Sequence, residues 1–149
     1  MPNIQFFYEN VSFHFDKRSA VKEFIRKLFK REHTRLSTLN FIFCSDEALL
    51  EINRTYLQHD YYTDIITFGL QDPGSAVVGE IYISIDRVRD NAKTQGVSFK
   101  QELHRVLFHG ALHLCGYKDK LPKDELIMRN KENEYLYRYF SVSHNTVSS

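Results

Sequence analysis

His109 and His113 are the two side chains of this sequence best placed to do chemistry together. They stand at i and i+4, so a helix carries both on one face, one turn apart. Two imidazoles in that relation can meet one tetrahedral ion at about 2.0–2.1 Å each. Around them Val106, Leu107, Phe108, Ala111, Leu112, Leu114 and Cys115 make the segment apolar almost all round, the mark of an interior helix. Gly116 suits a left-handed helix terminus and a sharp reversal of the chain. That reversal brings Asp119 within reach as a third ligand and leaves a fourth position open to water. Three protein ligands with an open position describe a catalytic zinc site rather than a closed structural one. The expectation is one Zn²⁺ per chain, held by His109, His113 and Asp119 at a helix end. Two satisfied core histidines give the same spacing by chance; the glycine and the carboxylate weigh toward a metal. Cys115, two residues past His113, points off the shared face and reads as a buried free thiol.

The elements that must hold this helix follow from periodicity. Residues 4–8, 39–44, 64–68 and 80–85 read as strands, the last alternating with Ile81, Ile83 and Ile85 on one face. A basic helix spans about Lys17 to Glu32, with Val21, Phe24, Ile25, Leu28 and Phe29 as its apolar stripe. Ser45-Asp46-Glu47 reads as an N-cap and acidic first turn, opening a helix whose stripe is Leu49, Ile52 and Tyr56. Asp72-Pro73-Gly74-Ser75 is turn chemistry. Asp86 is expected to cap a short helix that Gly96 ends, and Ser98 with Gln101 to open the helix carrying the histidines. A last amphipathic helix runs from Asp124 to Phe140 through Leu126, Tyr135, Leu136 and Tyr139. The fold class is α+β: a single mixed four-stranded sheet with about five packed helices. The second and third strands, joined through a helix, are expected to be parallel with a right-handed crossover. One domain covers 1–140, followed by a flexible polar tail over 141–149.

Composition narrows the class. The chain has 149 residues, 42% of them apolar, which suits one domain with a real core. It contains no apolar run of about 18 residues, so no membrane partner is expected. The start, Met1-Pro2-Asn3-Ile4-Gln5, lacks the pattern of a secretory signal. Cys44 and Cys115 are too few for a disulfide scaffold, and reduced thiols in a cytoplasmic protein are expected. The net charge of +1 says little, but Lys22, Arg26, Lys27, Lys30 and Arg31 gather on one helix. That face could lie along phosphates or be simply solvated.

The segment His109-Gly110-Ala111-Leu112-His113-Leu114-Cys115-Gly116-Tyr117 resembles the signature of the YbeY family of bacterial rRNA maturation factors, H-G-x-L-H-L-x-G-Y-D-H. Thr63-Asp64-Ile65-Ile66-Thr67-Phe68 is similar to its T-D-V-L-S-F strand, and Gly79-Glu80-Ile81-Tyr82-Ile83-Ser84 to its G-D-I-x-I-S strand. Asn53 matches an L-N-x-x-Y-R segment, and Met128 with Glu132 a pattern of the C-terminal helix. The resemblance implies an α+β fold and a zinc held by the signature residues. It also implies endonuclease activity on single-stranded RNA, roles in rRNA maturation and ribosome quality control, and the small ribosomal subunit and assembly factors as partners. The sequence departs from the family at two places. Asp119 stands where the third ligand is His, with Lys118 where the family has Asp; aspartate is an acceptable zinc ligand. Leu57 stands where the family carries an arginine thought to serve the active site, and Leu cannot hold a phosphate bidentately. Arg54, His59, Lys118 and Lys120 are then the substrate-binding candidates, each of which also reads as a solvated surface residue.

The residues name no general base. Asp64 and Glu80, at motif-bearing strand ends, either act near the metal or orient the site through hydrogen bonds. The expected function is a zinc-dependent single-strand endoribonuclease of rRNA maturation. One rival is a non-catalytic ribosome-assembly factor with a structural metal, which Leu57 favours. The other is a zinc metalloprotease, whose extended motif has the same spacing but carries a Glu where Gly110 stands.

Overall fold

Leu39, Phe41 and Phe43 alternate with Asn40, Ile42 and Cys44, and the pleat sends these sets to opposite faces of a strand. The computed structural model, which describes the backbone of residues 1–148 and the side chains of residues 1–141, places them on β2. The expected tail over 141–149 therefore lies almost wholly outside the fully described residues. The elements run β1 (Asn3–Tyr8), α1 (Arg18–Arg31), β2 (Leu36–Cys44), α2 (Asp46–Leu57), β3 (Ile65–Gly69), β4 (Val77–Ser84), α3 (Ile85–Gln95), α4 (Phe99–Leu114) and α5 (Pro122–Ser148). The strands form one mixed sheet in the order β1-β2-β4-β3.

β1 and β2 are parallel, as are β2 and β4, whereas β3 and β4 are antiparallel. The expectation for the second and third strands is thus corrected: β4 lies between them, and β3 runs opposite to β2. The cause is the turn after β3. Ser75 N–H donates to the Asp72 carbonyl at 3.0 Å, and Gly74 takes φ 83°. A short turn closes a hairpin at low entropic cost, so β3 pairs with its sequence neighbour. β4, with Ile81 and Ile83 fully buried, takes the interior position, and the five-residue β3 becomes an edge.

The inward set of the sheet joins side chains of α1, α3, α4 and α5 in one core that includes Ile4, Phe41, Phe43, Ile81, Leu107, Phe108 and Tyr135. The other face is covered by α2, where Cys44, Leu49 and Ile66 make a smaller cluster. On α2 the buried residues are Leu49, Leu50 and Asn53, and the expected stripe residue Tyr56 is exposed. On α5 Leu126 is likewise exposed, and Met128 takes its place beside Tyr135, Leu136 and Tyr139. Ser45 and Ser98 cap α2 and α4, their hydroxyls accepting from the Ala48 and Gln101 N–H groups. Ser84, not Asp86, caps α3: its hydroxyl accepts from Arg87 N–H, because the helix begins one residue after the strand ends.

Helix α4 is the element that positions the chemistry, and it lies close on the sheet. A Cβ on Gly110 would stand 2.8 Å from Ile81 Cδ1 and 3.0 Å from Ile65 Cδ1. On the sheet side, one on Gly79 would stand 2.6 Å from Leu114 Cδ1. These two glycines let helix and sheet approach where any side chain would hold them apart.

Candidate metal centre

The C-terminus of α4 is a reversal built by hydrogen bonds. Gly116 adopts φ 105°, its N–H donates to the His113 carbonyl at 3.0 Å, and Tyr117 N–H donates to the Leu112 carbonyl at 3.1 Å. Left-handed geometry at the end of a helix turns the chain back while satisfying terminal carbonyls. Tyr117 is then anchored: its hydroxyl donates to Glu32 Oε1 at 2.7 Å, and Lys131 pairs with the same carboxylate at 3.4 Å. Tyr135 on α5 donates to Glu32 as well. Burial alone would raise the Glu32 pKa, but the two tyrosine hydroxyls and Lys131 hold it below the usual carboxylate range.

The reversal returns Asp119 to the histidines. Asp119 Oδ2 lies 3.2 Å from His109 Nε2 and 3.1 Å from His113 Nε2, and the two imidazole centroids are 4.6 Å apart. The other nitrogen of each ring is engaged. His113 Nδ1 is 2.9 Å from the Tyr117 carbonyl, and His109 Nδ1 is 2.6 Å from Glu132 Oε2. A carbonyl and a carboxylate only accept, so Nδ1 carries the proton in both rings and Nε2 presents its lone pair. Three acceptor atoms thus converge, an arrangement that a shared proton or a metal ion makes favourable. Protonating both rings would set two like charges side by side; a metal ion satisfies all three atoms at once. The ligand atoms lie within 4.8 Å of one another, and the two sides near 3.1–3.2 Å approach the edge of roughly 3.4 Å expected for tetrahedral zinc bonds. The residues present fit such a metal.

Glu132 and Arg105 support this centre from behind. Arg105 Nη1 donates to Glu132 Oε1 at 3.1 Å, and Arg129 stands 3.7 Å from the same oxygen. Burial pushes the Glu132 pKa up, but the His109 hydrogen bond and the two guanidinium groups outweigh it and hold the carboxylate ionised. Burial works against a charged His109, yet the Glu132 hydrogen bond raises its pKa.

The triad opens into a cleft of about 950 Å³. Of the expected substrate-binding side chains, His59 and Lys120 line it. Arg54 is engaged by Asp60 at 2.6 Å and Glu51 at 3.7 Å, and neither it nor Lys118 is in the lining. Arg105 and Arg129 do line it, and sequence reasoning missed both; the i to i+3 spacings of Glu102 to Arg105 and of Arg129 to Glu132 were the available signal. Asp64 lines the cleft, accepts from Asn91 Nδ2 at 3.2 Å, and has its pKa raised by burial. Glu80 does not line it; it accepts from the Tyr82 hydroxyl at 3.2 Å on the opposite face of the sheet. Cys44 and Cys115 are free thiols that burial pushes to about 12. Among the described residues no helix is long and apolar enough to cross a membrane.

An α+β domain with a His-His-Asp triad at the end of a buried helix, open to a polar cleft, defines a protein with a candidate mononuclear metal centre. A profile of the family described as endoribonuclease YbeY matches residues 3–140. The endoribonuclease YbeY of Cytophaga hutchinsonii is 49% identical over 89% of this chain and 93% of its own length. That of Flavobacterium psychrophilum is 45% identical over 95% and 99%. The solution structure of TM1509 from Thermotoga maritima aligns with a TM-score of 0.65 at 26% identity, covering 98% of this chain and 93% of that one. The chain belongs to the endoribonuclease YbeY family.

Proposed function

We propose that this protein is a zinc-dependent endoribonuclease that cuts single-stranded RNA during rRNA maturation in the cytoplasm. One observation carries the metal part: His109 Nε2, His113 Nε2 and Asp119 Oδ2 converge as lone pairs in an open cleft, each ring fixed through its other nitrogen. An all-N/O set of three suits zinc, and relatives of similar length are endoribonucleases by name. A zinc ion held there would activate water or a ribose hydroxyl at neutral pH and polarise a phosphoryl oxygen. The chain's own residues do the rest. Glu132 and the Tyr117 carbonyl keep the imidazoles oriented. Lys120 and Arg129 are the cleft cations available to phosphate oxygens. Asp64 and Glu102, both lining the cleft with pKa values raised by burial, are the groups able to hold or take a proton beside it. Precursor rRNA as substrate, ribosome quality control as a further role, and the small ribosomal subunit and its assembly factors as partners rest on the family resemblance.

Gly110 weighs against a protease: its Cβ position faces Ile81 and Ile65 and has no room for a carboxylate. Leu57 weighs toward the non-catalytic reading, in which the protein binds ribosomal particles without cutting. The deciding experiment incubates zinc-loaded protein with single-stranded RNA, with casein and with small ribosomal subunits, before and after chelation. Zinc-restored cutting of RNA alone supports the proposal; ribosome binding without cutting supports the rival.

A further inference from the structure

The cleft lining includes Leu57, where the family pattern places an arginine, and beside it in sequence the aromatic side chains of His59 and Tyr61. Helix α2 ends at Gln58, which takes φ 56°, and the loop beyond it is pinned to the buried Asn53. His59 N–H donates to the Asn53 carbonyl at 3.1 Å, and Asn53 Nδ2 donates to the Tyr61 carbonyl at 2.9 Å. With the backbone held at both points, the His59 and Tyr61 rings stack, their centroids 5.1 Å apart and their planes 19° from parallel. A hydrogen bond of 2.9 Å between Tyr61 Oη and His59 Nδ1 locks the pair. Tyr61 is nevertheless 56% exposed and Leu57 40% exposed, and both line the same cleft as the triad. Arg54, the guanidinium nearest in sequence, is drawn to Asp60.

We propose that the His59–Tyr61 pair, with Leu57 beside it, is a seat for an unpaired nucleobase of a single-stranded RNA lying across the metal centre. The inference rests on the RNA-cutting reading and adds how the substrate is held. A preorganised aromatic surface gives a base face-to-face contact at little entropic cost and without regard to sequence. It also selects single strands, because the bases of a duplex are already stacked and cannot turn a face outward. A phosphate, by contrast, needs a guanidinium fork or a cluster of N–H donors, which Leu57 cannot supply. The cleft is accordingly divided: Lys120 and Arg129 for the backbone, the aromatic pair for a base.

The test uses zinc-loaded protein and a short single-stranded RNA carrying 2-aminopurine, alongside the same oligomer with that base removed. Tyr61→Ala should weaken binding of the intact oligomer about thirtyfold, the middle of the range for one base–aromatic stack. It should leave the abasic oligomer, the zinc content and the salt dependence unchanged, since no cation is removed. Tyr61→Phe, which keeps the ring, should retain most of the affinity and the quenching of 2-aminopurine fluorescence. Equal losses for intact and abasic oligomers, or wild-type affinity in Tyr61→Ala, overturn the seat while leaving RNA cutting in place. If wild-type protein neither binds nor cuts single-stranded RNA, the functional reading falls and the seat with it.

Discussion

At the residue scale, Glu132 and Tyr117 do the same work for different rings. Each accepts the Nδ1 proton of a histidine and so fixes which nitrogen faces Asp119. Glu132 adds a full charge, and Arg105, largely buried, holds it in place. Partners of this kind raise ligand basicity, and their removal costs about 10–100-fold in metal affinity. Glu132→Ala should therefore weaken zinc binding by about that factor, with Glu132→Gln, which still accepts a hydrogen bond, falling between. Titration against a competing chelator measures it, and unchanged affinity in Glu132→Ala would remove the role assigned to this carboxylate. The spacing of His109, His113, Gly116 and Asp119 made the triad legible because all four sit on one helix and its terminal turn. The Glu132 contact was not legible: it joins residues 23 apart on two helices, and sequence patterning gives which face a helix buries but not which partner it meets. The aromatic pair was half visible. His59 stood out as a substrate-binding candidate, whereas its stacking on Tyr61 depends on two hydrogen bonds with Asn53.

At the element scale, the site depends on how closely α4 lies on β4 and β3. Gly110 is next to His109 of the triad, and its missing side chain is what allows that approach. Gly110→Ala gains helix propensity of up to about 1 kcal/mol, yet it forces a methyl into Ile81 and Ile65, a kind of overpacking that costs about 1–3 kcal/mol. The expected result is a net loss on the order of 1 kcal/mol in denaturant unfolding, together with weaker zinc binding as α4 is lifted. A stabilised variant with wild-type zinc affinity would show that the packing is looser than described. The strands, the helix carrying the ligands and the serine caps of α2 and α4 could be read from sequence because each is set by local pattern. Strand order could not. The β3–β4 hairpin, which overrides the expected parallel neighbour, is decided by a turn whose chemistry was visible but whose consequence for the sheet is global. Tyr56 and Leu126 fit a helical stripe equally well, and only the shape of the packed core leaves them exposed.

At the scale of the whole molecule, a histidine outside the site sets part of the acid limb of stability. His104 is buried against Tyr139, its ring stacked at 4.9 Å, with Nδ1 at 2.7 Å from the Lys100 carbonyl and Nε2 without a partner among the described residues. Burial lowers its pKa from 6.5 to about 4. The folded state therefore favours the neutral ring, and the unfolded chain takes up a proton first as pH falls. This contribution is complete above pH 6.5, is lost progressively down to about 4, and amounts to the order of 3 kcal/mol. His104→Phe, which keeps an aromatic ring but cannot be protonated, should lose less stability than wild type across that window. Parallel stability curves for the two proteins would contradict the assignment.

We propose that one metal ion, held by His109, His113 and Asp119, is what makes this protein cut RNA. It is tested most directly by zinc content and single-stranded RNA cleavage, measured on the same preparations of wild type and the double variant His109→Ala, His113→Ala. Wild type should hold about one zinc per chain and cut, whereas the variant should hold none and not cut, because a lone carboxylate cannot retain the ion. A double variant that keeps full zinc occupancy, or that cuts RNA as fast as wild type without it, would contradict the account.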